Sequence, residues 1–166
     1  LTGYVHAAYP PVYSNLAKVA GFDTAVLVKG VEGGVSPALR GDGKVFYYSG
    51  NNELQETKFD PKSISIEQNM RAVPLPNLDK QEGVKLDEIS SDINVEDFST
   101  KTSEIGIEAL NGKDGPAKDT LIYTGALTLS IIKNISFNEA ASQIKKAINS
   151  GKAKDFFYNS IWIIIK

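Results

Sequence analysis

Thr24-Ala25-Val26-Leu27-Val28-Lys29-Gly30-Val31-Glu32-Gly33-Gly34-Val35 decides how this chain is read, because it runs an unbroken apolar stretch into a glycine-rich turn. Ala25 to Val28 carry no polar residue, the pattern of a strand covered on both faces, as in a parallel sheet. Gly30, Gly33 and Gly34 let the backbone turn sharply and approach a ligand closely. In open α/β sheets ligands bind beyond the carboxyl ends of strands, where this turn falls. Gly30, Glu32, Gly33 and Gly34 are therefore candidate substrate-binding residues. The bland alternative is a tight turn with no ligand.

Working outward, Pro10 and Pro11 suit a helix start, because proline there loses only an amide that would be unpaired anyway. Val12, Leu16 and Val19 follow at helical spacing, and Gly21 offers a stop. Lys44 to Tyr48 and Leu54 to Phe59 read as strands joined through Gly50-Asn51-Asn52, a hairpin. A short extended piece is expected at Ile64 to Ile66. Pro74 and Pro76 then lead into an acidic, flexible loop over residues 77–100.

The second half reads as helical: a short helix over 102–110, a buried one from Pro116 to Ile132, and a third opened by the Ser136/Glu139 capping box. Gly125 and Ala126 permit close packing. A last segment over 152–162 carries Phe156, Phe157, Ile161 and Trp162. The class is α/β, and residues 1–166 form one domain or most of one.

Composition narrows the function classes. The chain has 166 residues, 42% hydrophobic and 23% charged, ordinary values for a globular domain. The lack of cysteine excludes disulfides and thiolate metal sites and suits a cytoplasmic protein. No apolar run reaches transmembrane length, so no membrane partner is expected. The single methionine is Met70 and the sequence starts at Leu1, so a piece of a longer protein is expected.

The net charge of −2 is unevenly spread. Residues 79–97 set seven carboxylates against Lys80 and Lys85, and residues 113–154 set seven lysines against three carboxylates. Lys118, Lys145, Lys146, Lys152 and Lys154 are candidate nucleic-acid contacts, since lysines near helix ends meet phosphates. More often such lysines simply solvate the outer faces of helices, and few arginines or aromatics accompany them here. His6 is the lone histidine and has no catalytic partner in sequence, so it reads as structural. Tyr47 and Tyr48 alternate on a strand and read as packing residues.

Three stretches in order resemble one family. They are Gly3-Tyr4-Val5-His6 with the Pro10 helix, the strand and turn over 24–35, and Gly115-Pro116-Ala117-Lys118-Asp119 continuing to Ile148-Asn149-Ser150-Gly151-Lys152-Ala153. Together they resemble the C-terminal part of the anthranilate phosphoribosyltransferase family. The resemblance implies the C-terminal portion of a phosphoribosyltransferase-type large α/β domain, in a parent glycosyltransferase that uses phosphoribosyl pyrophosphate and magnesium. It implies that the phosphate loop lies in a missing N-terminal part, that the full-length protein is a homodimer, and that this chain is catalytically incomplete. No cofactor is expected in this chain.

The family holds magnesium with an adjacent Asp-Glu pair after the glycine turn, where this chain reads Gly34-Val35-Ser36-Pro37. Its usual asparagine in the long helix is matched by Thr124. These departures resemble a divergent branch of the family that includes non-enzymatic nucleic-acid binders, the alternative reading. Val31-Glu32-Gly33-Gly34-Val35 and Arg71-Ala72-Val73-Pro74 look like that branch too.

Overall fold

The computed structural model describes residues 1–76 and 95–164, with side chains described to Ser160. Four strands form one sheet in the order β1 (Thr2–Gly3), β2 (Thr24–Val28), β3 (Gly43–Ser49) and β4 (Gln55–Phe59). Strand β2 runs parallel to β1 and antiparallel to β3, and β3 is antiparallel to β4. The expected parallel partnership is thus confined to one two-residue pair, and the sheet is mixed.

The expected burial of β2 on both faces holds, and helices supply it. Val26 and Val28 join Val45 in the core against α3 (Pro116–Lys133) and α4 (Phe137–Asn149). Ala25 and Leu27 alternate to the other face, which α1 (Tyr9–Val19) covers. A strand sandwiched in this way needs apolar residues at every position.

Helix α1 corrects the sequence reading of its inner face. Pro10, Ser14 and, half-buried, Tyr13 and Ala17 turn toward the body, whereas Val12, Leu16 and Val19 are 52%, 61% and 88% exposed. The 3.6-residue period fixes a helix but allows two neighbouring stripes here. The narrower side chains Ser14 and Ala17 let the helix axis come close to the sheet.

The hairpin forms as its turn chemistry implies, with Val26 opposite Tyr47 and Val45 opposite Thr57. Tyr48 is buried, its hydroxyl donates to the Phe22 carbonyl at 2.8 Å, and Lys18 lies over its ring. Ile64 and Ile66 are core residues, but Pro61–Ile64 is a single 3-10 turn instead of an extended piece. Asp60 caps this turn by accepting the Lys62 amide, and Pro61 fixes its first dihedral.

Helix α2 (Val95–Leu110) starts seven residues before the expected 102 and takes in residues 95–100 of the expected acidic loop. Glu96 and Asp97 sit in its first turn, where the helix dipole favours carboxylates, and Asp97 pairs with Lys101 at 2.8 Å. Residues 77–94 of that loop lie outside the described residues.

Helices α3 and α4 pack most extensively of all. A Cβ on Gly125 would sit 3.2 Å from Ile144 Cδ1, so the small residue sets how closely the pair approaches. Ser136 caps α4 by accepting the Glu139 amide at 3.2 Å, as the capping box requires. Lys152–Ile164 forms α5.

Candidate functional site

The glycine turn leaves the carboxyl end of β2 and folds back on itself. Gly34 donates its amide to the Val31 carbonyl at 2.9 Å, and Val31 donates to Ser36 at 3.0 Å. A Cβ on Gly30 would overlap the Gly34 carbonyl oxygen, and one on Gly3 would overlap the carbonyl oxygens of Gly33 and Gly34. The close approach these glycines permit is therefore to the protein's own backbone. Gly33 has φ 82°, and Glu32 holds the left-handed conformation at φ 52°, a strained choice for a residue with a side chain. The Glu32 side chain is on the exposed side of the turn.

Beyond the turn the structure brings together two residues that the sequence reading had singled out separately. Thr124 Oγ1 donates to Ser36 Oγ at 3.2 Å, linking α3 to the position where the resemblance implies a carboxylate pair. Magnesium is a hard ion that takes carboxylates together with substrate phosphates. Two hydroxyls bonded to each other, followed by Pro37, do not fit it. Among the described residues no three of His, Cys, Asp and Glu converge as a metal site.

A pocket of about 250 Å³ opens beside this pair, with Val31, Gly34 and Ser36 on one wall and Arg71, Val73 and Thr120 on the other. The backbone of Arg71 is fixed, because its carbonyl accepts the Leu39 amide at 2.9 Å. A neighbouring groove of about 270 Å³ lies between Val73–Pro76, α2 and the start of α3. Its wall includes Lys118, whose Nζ donates to Asp114 Oδ1 at 2.8 Å and to the Gly112 carbonyl at 3.1 Å. That lysine holds the Asp114 carboxyl below its ordinary range, first by the hydrogen bond and then by its charge.

The five candidate lysines are not alike. Lys118 is tied down as described, and Lys145 Nζ donates to the Ile64 carbonyl at 2.7 Å, joining α4 to the turn after β4. Lys146 and Lys152 are exposed, and Lys154 is half-buried. His6 stays at the start of α1, its ring edge-on to Tyr9 and its carbonyl accepting the Tyr9 amide.

Sequence reasoning missed Tyr123. Its buried hydroxyl accepts the Gly43 amide at 2.8 Å and donates to the Phe59 carbonyl at 2.6 Å. Gly43 and Phe59 are opposed in the β3–β4 ladder, so the hydroxyl forms the last rung between them. Burial is the largest influence on this phenol and raises its pKa well above the ordinary value. Nothing in a helical apolar run marks one tyrosine for this role.

No family model matches the chain, and no curated protein matches it. Among solved structures it is similar to a serine-to-alanine variant of anthranilate phosphoribosyltransferase from Saccharomyces cerevisiae with magnesium bound. The identity is 16% and the TM-score 0.56. The match covers 92% of this chain and 39% of that one, so the chain spans well under half the length of its structural neighbour. The fold is that of a phosphoribosyltransferase-type α/β domain.

Proposed function

We propose that this chain is the C-terminal part of the large domain in an anthranilate phosphoribosyltransferase-like protein, that it contributes one wall of a phosphoribosyl-ligand site, and that it is catalytically incomplete alone. The observation that carries this reading is the pocket itself. It lies beyond the carboxyl end of β2, in a fold similar to that of a phosphoribosyltransferase. Phosphoribosyl transfer relies on positioning the donor and stabilising the departing pyrophosphate. Ser36, held by its bond from Thr124, and Arg71 can contact such a ligand, but no carboxylate among the described residues lines the pocket to steer a metal onto it.

The test is calorimetric titration of the chain with phosphoribosyl pyrophosphate, paired with an assay of pyrophosphate release in the presence of anthranilate. Saturable binding without turnover is the expected result. Failure to bind any phosphoribosyl compound refutes the ligand assignment, and turnover refutes the incompleteness.

A further inference from the structure

We infer that the pocket beside the glycine turn takes a phosphate-bearing ligand directly, through the Arg71 guanidinium and without a divalent metal. This rests on the phosphoribosyl reading and extends it to the sign of charge at the site. Among the described residues lining the pocket, Arg71 alone is charged. Its guanidinium has no hydrogen-bonding or ionic partner among the described residues, while its backbone is anchored through the Leu39 amide.

A carboxylate pair at this place would need a cation to reconcile it with phosphate. Here the carboxylates are replaced by Ser36 and Pro37, and the wall across from them carries a positive charge. With the sign inverted, an anion is attracted without a bridge. A guanidinium offers a planar fork of N–H donors that matches two phosphate oxygens, and such charge-assisted bonds are the strong ones. The Ser36 hydroxyl, which lines the pocket, adds to the donor set. Thr124 donates to Ser36, which leaves the Ser36 proton available to a ligand oxygen. A volume of about 250 Å³ has room for a phosphoryl or pyrophosphoryl group.

The experiment is calorimetry at low ionic strength with inorganic pyrophosphate, in EDTA and in excess Mg²⁺, on the chain and on its Arg71→Gln and Arg40→Gln variants. Arg40 is exposed and does not line the pocket, so it controls for general charge. Binding should be equal or tighter in EDTA, weaken at least tenfold in Arg71→Gln, and change less than twofold in Arg40→Gln. Circular dichroism verifies that each variant is folded. Binding that requires Mg²⁺, that ignores Arg71, or that is absent from the parent chain overturns the inference, as does equal affinity for malonate.

Titration with phosphoribosyl pyrophosphate separates the two readings. If it binds only with Mg²⁺ and regardless of Arg71, the phosphoribosyl reading stands and this inference falls. If it binds no better than pyrophosphate but depends on Arg71, the inference stands and the phosphoribosyl reading falls.

Discussion

Replacing Tyr123 with phenylalanine removes one oxygen and leaves the ring in place. That oxygen serves two backbone groups, the Gly43 amide at 2.8 Å and the Phe59 carbonyl at 2.6 Å. The residue is fully buried, so water does not replace the hydroxyl without reorganisation. Each backbone group left unsatisfied costs about 1–3 kcal/mol, and partial closure of the ladder recovers some of this. We expect a loss of about 2–4 kcal/mol, a large share of the roughly 5–15 kcal/mol that holds a domain together. For a chain of this size that is a fall in Tm of about 5–15 °C. Urea unfolding followed by far-ultraviolet circular dichroism gives the value.

The alkaline limb of stability gives an independent check. The phenol's pKa is raised in the folded state, so its contribution is complete below the unfolded value of about 10 and is lost as pH rises above it. Stability of the parent chain should therefore fall more steeply above that pH than stability of Tyr123→Phe. A loss below about 0.5 kcal/mol with an unchanged m-value would refute the reasoning. It would mean that Gly43 and Phe59 bond to each other once the hydroxyl is gone.

Three further outcomes follow from the geometry. Gly30→Ala should cost about 3 kcal/mol or more, because the new Cβ overlaps a backbone oxygen that cannot move aside. Gly21→Ala, at φ 84° but in open space, should cost only about 1 kcal/mol by the same urea measurement. Tyr4→Phe should be neutral or stabilising by about 1 kcal/mol, since the buried Tyr4 hydroxyl has no partner among the described residues. A clear loss of stability would show that the hydroxyl is satisfied after all. Lys145→Met should lower stability by about 1–2 kcal/mol through loss of its bond to Ile64, while Lys146→Met should leave the denaturation midpoint unchanged.

Features that depend on neighbouring residues were readable from the sequence alone. The β2 strand, the hairpin about Gly50-Asn51-Asn52, and the Ser136 cap each follow from a few adjacent side chains, and each forms, although β2 pairs mainly antiparallel and not as in a parallel sheet. Features that depend on distant partners were not. Which stripe of α1 faces inward is set by its distance from the sheet, which the spacing of Val12, Leu16 and Val19 does not encode. The start of α2 depends on its acidic first turn, and acidic residues signal a loop and a helix start equally well. At the site, the sequence marks Ser36 and Thr124 as departures from the family pattern, but their contact appears only once α3 lies over the turn. Arg71 and Lys145 stand out in the sequence only within a motif and a lysine-rich stretch, and their places are not legible there, because one is defined by a cavity and the other by a carbonyl from across the domain.

The packing of Gly3 and Gly30 against the turn also bears on how this chain tolerates mutation. When side chains collide in a core, a second substitution that trims the neighbour restores the fit. At Gly3 and Gly30 the atoms in the way are the carbonyl oxygens of Gly33 and Gly34, which every amino acid possesses. No second-site change of a side chain can remove them. An alanine at either position is therefore beyond rescue by an intragenic suppressor that works through side-chain size. Only a change in the course of the backbone, such as an altered loop length between β2 and β3, could restore the fit.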